Sequence, residues 1–255
     1  MAKLPLGVDI DNLIEDLINF SWEASEIMLY YSKIIKDSDK NNGLIKLKNN
    51  EDPVTLADIK VNELIIQRIN NAYKNCEWDI LSEESSSLNS SIYKEIKKWL
   101  WILDPLDGTK DFIQGTGNYA MHLALNYKQK PFIGIVLIPE RNELWISYGD
   151  KIRCEMRDGT IREPNISQTN MLQDMTLVTS KNHQNKKLKD LINKINFKKI
   201  IEMGSIGCKI ASIIRGDSDI YIALSLPGKN SPKDWDFAAP EAILKAAGGS
   251  ITNID

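Results

Sequence analysis

The chain has 255 residues, 42% of them hydrophobic and 26% charged, with a formal net charge of only −3. That length supports one large domain or two closely packed lobes around a substantial core, and the composition excludes disorder as the default state. With Lys and Arg spread along the sequence, nothing points to a nucleic-acid polymer or a membrane surface as partner, while a small, anionic substrate stays open.

The three cysteines, Cys76, Cys154 and Cys208, are too far apart for a zinc site and odd in number for a disulfide framework, which fits a reducing cytoplasm. The N-terminal stretch MAKLPLGVDIDNL has no apolar core behind its basic residue. No later run approaches the roughly 20 apolar residues of a membrane span, so a soluble, unprocessed protein with no integral membrane segment is expected.

From Ile10 to about Ile35 apolar residues recur at three and four (Leu13, Leu17, Ala24, Met28), which predicts one long helix with a buried face. A short strand, Leu44 to Leu47, follows Gly43. A polar stretch, Lys48 to Pro53, leads to Thr55 as the N-cap of a second helix with Asp58 in its first turn, ending near Tyr73. Trp78 to Leu81 reads as a strand running into Ser82-Glu83-Glu84-Ser85. Trp101 to Asp104 reads as the end of a buried strand that Pro105 and Gly108 break, so Asp104 and Asp107 emerge together at a strand-to-turn corner.

Beyond that corner the period is two: Asn118 to Tyr127, Pro131 to Ile138, Glu143 to Tyr148 and Lys151 to Arg157 form a predicted antiparallel meander, with a turn at Asp158-Gly159. Strands then alternate with helices: Thr176 to Thr179, a helix from about Asn185 to Ile195, Lys199 to Glu202, a helix from about Ile206 to Arg215, and Ile220 to Ala223. A last helix opens at Asp236 and is capped at Gly248-Gly249, before one more short strand. Without an internal repeat or linker, the pattern predicts a single α/β (α+β) domain over 1–255, with an antiparallel-rich lobe to about residue 170 and a smaller α/β lobe from about 171.

Two carboxylates at one corner repel by roughly 1 kcal/mol in water at about 4 Å, and by about 4 at an effective dielectric of 20, so a chain that keeps them adjacent keeps a cation between them. An all-oxygen donor set selects a hard cation. Gly108 and Thr109 add N–H groups and a hydroxyl for an anionic oxygen. Taken alone, Asp-Pro-x-Asp-Gly reads equally as an ordinary Asx turn. Asp58 alone reads as a helix-dipole partner, Glu83 and Glu84 as a solvated loop, and Asp236 as an N-cap. Jointly they match what metal-assisted hydrolysis of a phosphate ester needs: several carboxylates, a group that orients water, and an anion-binding helix start.

The stretches Asp52-Pro53-Val54-Thr55-Leu56-Ala57-Asp58, Ser82-Glu83-Glu84-Ser85, Asp104-Pro105-Leu106-Asp107-Gly108-Thr109 and Trp235-Asp236-Phe237-Ala238-Ala239 together resemble the lithium-sensitive, magnesium-dependent phosphatases of the inositol monophosphatase superfamily. Within it, Leu103 to Phe112 looks like the CysQ-type 3′(2′),5′-bisphosphate nucleotidases. The resemblance implies a layered αβαβα sugar-phosphatase fold and two or three Mg²⁺ ions held by Glu83, Asp104, the Leu106 carbonyl, Asp107 and Asp236. It makes Asp58, with the Thr109 hydroxyl, the group that orients the attacking water, and counts Glu83 with them as catalytic.

For substrate it implies contacts from Leu106, Asp107, Gly108, Thr109, His183, Ser205, Lys209 and Asp236. Adenosine 3′,5′-bisphosphate is the expected small phosphorylated substrate, with inositol monophosphate and fructose 1,6-bisphosphate as alternatives, and a non-catalytic metal and nucleotide binder as the reading from another class. A homodimer is open. Two departures bear on the nucleotide: Ile206 replaces a serine, and Ala223 follows Asp219-Ile220-Tyr221-Ile222 where many nucleotidases have an arginine, with Lys229 or Lys233 as substitutes. The closing strands and helix usual in the family would lie beyond Gly249, where this chain ends at Asp255.

Overall fold

A computed structural model of the chain describes residues 4–37, 45–48, 52–85, 97–181, 185–224 and 232–252. Expectations that fall on Gly43 and Leu44, on 49–51, on His183 and on Lys229 lie outside the described residues.

Helix α1 (Ile10–Asp37) turns Leu13, Leu17, Ala24 and Met28 into the core, the face its spacing predicts. Helix α2 (Leu56–Ala72) lies beside it and buries Val61, Ile65 and Ile69. Each such fully buried side chain contributes about 1.5–3 kcal/mol. Asp52–Thr55, expected as the end of a polar stretch, is instead strand β2, paired antiparallel with β1 (Ile45–Lys48). Pro53 tolerates this because a two-stranded hairpin leaves an edge where no donor is required.

The main sheet runs in sequence order: β3 (Trp78–Ser82), β4 (Trp99–Asp107), β5 (Ala120–Tyr127), β6 (Lys130–Ile138), β7 (Glu143–Tyr148), β8 (Lys151–Met156) and β9 (Ile161–Arg162). Only β3 and β4 are parallel; the rest is the predicted meander, closed at its end by the Asp158-Gly159 turn, where Thr160 N donates to Asp158 Oδ1 at 2.9 Å. A second, parallel sheet has the order β11 (Lys199–Met203), β10 (Thr176–Ser180), β12 (Ile220–Tyr221), with helices α4 (Lys186–Ile195), α5 (Ile206–Ile214) and α6 (Asp234–Ala246).

Alternation along the strands sorts the layers. Trp101 and Leu103 of β4 join the apolar faces of α1 and α2, whereas Ile102 between them packs with Ile210, Ile214 and Ile243 of α5 and α6. On β10, Val178 belongs to that second core and Leu177 to a third, with Leu188 and Ile192 of α4. The order is therefore α1 and α2, the seven-stranded sheet, α5 and α6, the three-stranded sheet, then α4, the expected αβαβα arrangement. Gly134 lets α6 settle on β6, since a Cβ there would lie 2.4 Å from Ala242 Cβ.

Three expectations change. Strand β4 does not stop at Asp104 but runs through Pro105 to Asp107. A six-residue helix, α3 (Thr109–Gln114), follows Gly108, too short to show a helical period in sequence. Helix α6 starts at Asp234, two residues before the expected Asp236, and among the described residues no strand follows it. No helix among the described residues is long and apolar enough to cross a membrane.

Candidate active site

A bulge builds the carboxylate corner. Asp104 pairs with His122 on β5 and Asp107 pairs with Ala120, so two residues of β4 face one of β5 between them. Side chains three apart on a regular strand point to opposite faces; the extra residue cancels one alternation and turns both carboxylates to the face that carries α5 and α6. Pro105 falls inside the bulge, where the ladder is already interrupted. Leu106 N donates to Asp104 Oδ1 at 3.1 Å. Gly108 turns the chain at φ +87°, and a Cβ there would lie 3.0 Å from both Asn118 O and Ser205 Cβ, so any larger residue is strained and crowded.

Asp58 sits at the third position of α2, 2% exposed. Its Oδ2 accepts from Thr55 N at 2.8 Å and Thr55 Oγ1 at 2.5 Å, and Thr55 Oγ1 accepts from Ala57 N at 3.1 Å, a reciprocal cap. Capping and catalysis are thus compatible readings of one side chain, because its Oδ1 faces the Thr109 hydroxyl at 3.5 Å. Thr109 Oγ1 also lies 3.2 Å from Leu106 O. Burial pushes the Asp58 carboxyl up to about 6 against the pull of the Thr55 hydrogen bonds, with Glu84 adding to the rise. Glu83 opens a single turn at the end of β3, whose last residue, Ser82, pairs with Leu103 one position before Asp104. Burial, then Glu83, Asp107, Asp236 and Asp58, hold the Asp104 carboxyl well above the usual range.

Asp107 has the opposite environment. Its Oδ2 accepts from Ser205 Oγ at 2.6 Å and Gly207 N at 3.0 Å, and lies 3.1 Å from His122 Nε2. Burial alone would raise this carboxyl, but His122, Lys209 and Ser205 outweigh it and hold it below its ordinary value. Asp236, third in α6, accepts from Lys233 N at 2.6 Å; burial first and Asp107 next raise its carboxyl.

Two residues expected at the substrate, Ser205 and Lys209, are both buried beside Asp107. Ser205 is fully buried as the N-cap of α5, where its Oγ accepts from Cys208 N at 3.0 Å and donates to Asp107. Lys209 is also fully buried: its Nζ donates to Gly204 O at 2.7 Å and stands 5.1 Å from the Tyr221 ring centroid. Burial pulls its ammonium down, opposed by Asp107, Cys208 and Asp111. In this arrangement Ser205 holds Asp107 directly and Lys209 acts on it through its charge. His122, 1% exposed, escaped the sequence reading. The signal available was a histidine inside the otherwise apolar run Ala120 to Leu125.

Asp104, Asp107 and Asp236 offer carboxylate oxygens that all lie within 4.8 Å of one another. Three acids this close, with no ammonium or guanidinium in direct contact among the described residues, are a donor set that fits a hard divalent cation.

The profile of the Inositol monophosphatase family matches residues 9–255. A 3′(2′),5′-bisphosphate nucleotidase CysQ of Buchnera aphidicola is 30% identical over 207 residues, 81% of this chain and 73% of that protein. The CysQ of Bacteroides thetaiotaomicron, a bacterial member of the inositol monophosphatase family, superposes with a TM-score of 0.69 at 24% identity, covering 94% of this chain and 88% of that one. The extragenic suppressor protein suhB of Bartonella henselae does so with a TM-score of 0.73 at 21% identity, covering 94% and 87%.

Proposed function

Since the chain belongs to the inositol monophosphatase family of metal-dependent phosphatases, we propose that it hydrolyses the 3′-phosphate of adenosine 3′,5′-bisphosphate with Mg²⁺ as its ion. The carrying observation is the convergence of Asp104, Asp107 and Asp236 within 4.8 Å, beside an Asp58 that faces Thr109. The nucleotide follows from the relatives named as 3′(2′),5′-bisphosphate nucleotidases and from Leu103 to Phe112.

Asp104, Asp107 and Asp236, with Glu83 and the Leu106 carbonyl, would hold the two or three Mg²⁺ ions. Bound there, Mg²⁺ supplies Lewis-acid stabilisation of the attacking and leaving oxygens. The chain's own residues do the rest. Asp58 Oδ2 is fixed by Thr55, leaving Oδ1, together with the Thr109 hydroxyl, to orient a water in line with phosphorus and take its proton. The Gly108 and Thr109 amides, which have no partner inside α3, receive the phosphate oxygens. For the second phosphate, Lys233, exposed at the start of α6, is a cation available in place of the arginine of many nucleotidases, beside the Lys209 expected from the resemblance. A reducing cytoplasm is the compartment, in keeping with three unpaired cysteines.

Competition of adenosine 3′,5′-bisphosphate, inositol 1-phosphate and fructose 1,6-bisphosphate at equal concentration, with phosphate release followed with and without Mg²⁺, tests both levels. The bisphosphate is expected to be hydrolysed fastest and only with Mg²⁺. Preference for inositol 1-phosphate would remove the nucleotide but keep the phosphatase, and a silent panel with tight Mg²⁺ binding would leave a metal binder.

A further inference from the structure

His122 is fully enclosed and touches two of the elements that carry the acids. It stands on β5 directly opposite Asp104, its Nε2 lies 3.1 Å from Asp107 Oδ2, and its Nδ1 lies 3.4 Å from the carbonyl of Trp235, the residue before Asp236. Asp107 is the polar neighbour of Nε2 among the described residues. The ring also has no room to move away: a Cβ at Gly207 would fall 2.3 Å from Nε2 and 2.9 Å from Cδ2, so the first turn of α5 is pressed flat against it. The glycine brings its own amide to Asp107 Oδ2 at 3.0 Å through the same close approach.

We propose that His122 is a positioning residue for the cation site, wedged so that one ring sets the Asp107 carboxylate on β4 and the Trp235–Asp236 turn of α6 at a fixed separation. The inference rests on reading Asp107 and Asp236 as cation ligands. Oδ2 of Asp107 is engaged by Ser205, Gly207 and His122, which leaves Oδ1 to face the cation. Ser205 and Gly207 both belong to the start of α5, so they tie Asp107 to that helix alone. Helix α6 packs on α5, β4 and β5 through apolar side chains. His122 adds a polar link among the described residues, reaching both Asp107 and the turn that begins α6, where Asp236 Oδ2 is turned back to Lys233 N at 2.6 Å. Partners that orient a ligand from behind typically account for 10–100-fold in metal affinity.

The experiment is calorimetric titration of the whole protein with Mg²⁺, and with Mn²⁺ as a tighter probe, for the parent and three variants. His122→Leu, which keeps the bulk and removes both nitrogens, is expected to bind about 10–100-fold more weakly. His122→Gln, whose amide reaches about as far as Nε2, should recover part of that loss. Gly207→Ala, which pushes the ring from the other side, should weaken binding alone and add little in the His122→Leu background. A purely structural histidine would instead lower the thermal midpoint of His122→Leu while leaving the affinity of the folded protein unchanged, and that result overturns the proposal. Should His122→Leu fail to fold, unchanged affinity in both Gly207→Ala and His122→Gln overturns it equally. If the parent itself takes up neither ion, the cation-ligand reading fails first, and the proposal with it.

Discussion

The two flanks of the site treat negative charge in opposite ways. On the side of α2 and the end of β3, Asp58 and Asp104 are buried among other acids, and both carboxyls are raised. On the side of α5, Asp107 is also largely buried but is met by Ser205, the Gly207 amide, His122 and the nearby Lys209 charge, and it is lowered. The lesson is one of division of labour. The α5 flank fixes one carboxylate in its charged form by the fold's own donors, while the α2 flank stores unbalanced charge that a cation or a proton must relieve. A site with both flanks like the first would have no appetite for a metal, and one with both like the second would fold poorly without it.

The largest effect that would sharpen this contrast is at Asp104. Asp104→Asn should reduce phosphate release at least 10³-fold, about 4 kcal/mol of transition-state stabilisation, since it removes an anion from the centre of the cluster. In EDTA the same substitution should raise the thermal midpoint, because the isosteric amide removes a repelled, desolvated charge. Lost activity with a lowered midpoint would show that the charge on this flank is balanced in the metal-free protein.

A second test uses pH. Folding lifts the Asp58 carboxyl from 3.8 to about 6, so between those values the folded chain binds a proton that the unfolded chain does not. Its contribution to metal-free stability is therefore complete below about pH 4 and is lost as pH rises through about 6, a change of about 3 kcal/mol. Urea titrations of parent and Asp58→Asn between pH 4 and 8 in EDTA should converge at the acid end and diverge at neutrality, the variant being the more stable there. Parallel curves would break the comparison on the α2 side.

The smallest effect is expected at Asp107, and its sign is the point. Asp107→Asn should lower the metal-free thermal midpoint, by about 1–3 kcal/mol in stability, because the donors around Oδ2 lose a charged acceptor. An increase like that of Asp104→Asn would mean that the two flanks do not differ.

Much of the architecture could be read from residues close together in the chain. The stripe of α1, the meander from β5 to β8 and the Thr55 cap depend on spacings of two to four residues, and the structure has each of them. The gathering of Asp104 and Asp107 was also legible, though for an incomplete reason: the sequence shows the break at Pro105, whereas the turning of both side chains to one face comes from a bulge against β5, which exists only once the two strands pair. The short α3 and the two-residue offset of α6 were hidden because a single turn has no period to detect.

The sequence by itself thus pointed to the chemistry, since four motifs that jointly resemble one phosphatase family name the candidate acids, the glycine turn and the cap. Tertiary structure alone decided what each supporting residue does. Ser205 reaches Asp107 across 98 positions and Gly207 across 100, Lys209 is buried with its Nζ on Gly204 O, and His122 joins Asp107 to a carbonyl 113 residues away. Such contacts leave no local periodicity, because they are selected by how layers pack and by which buried donors remain to be satisfied, a condition defined only when the whole chain has folded.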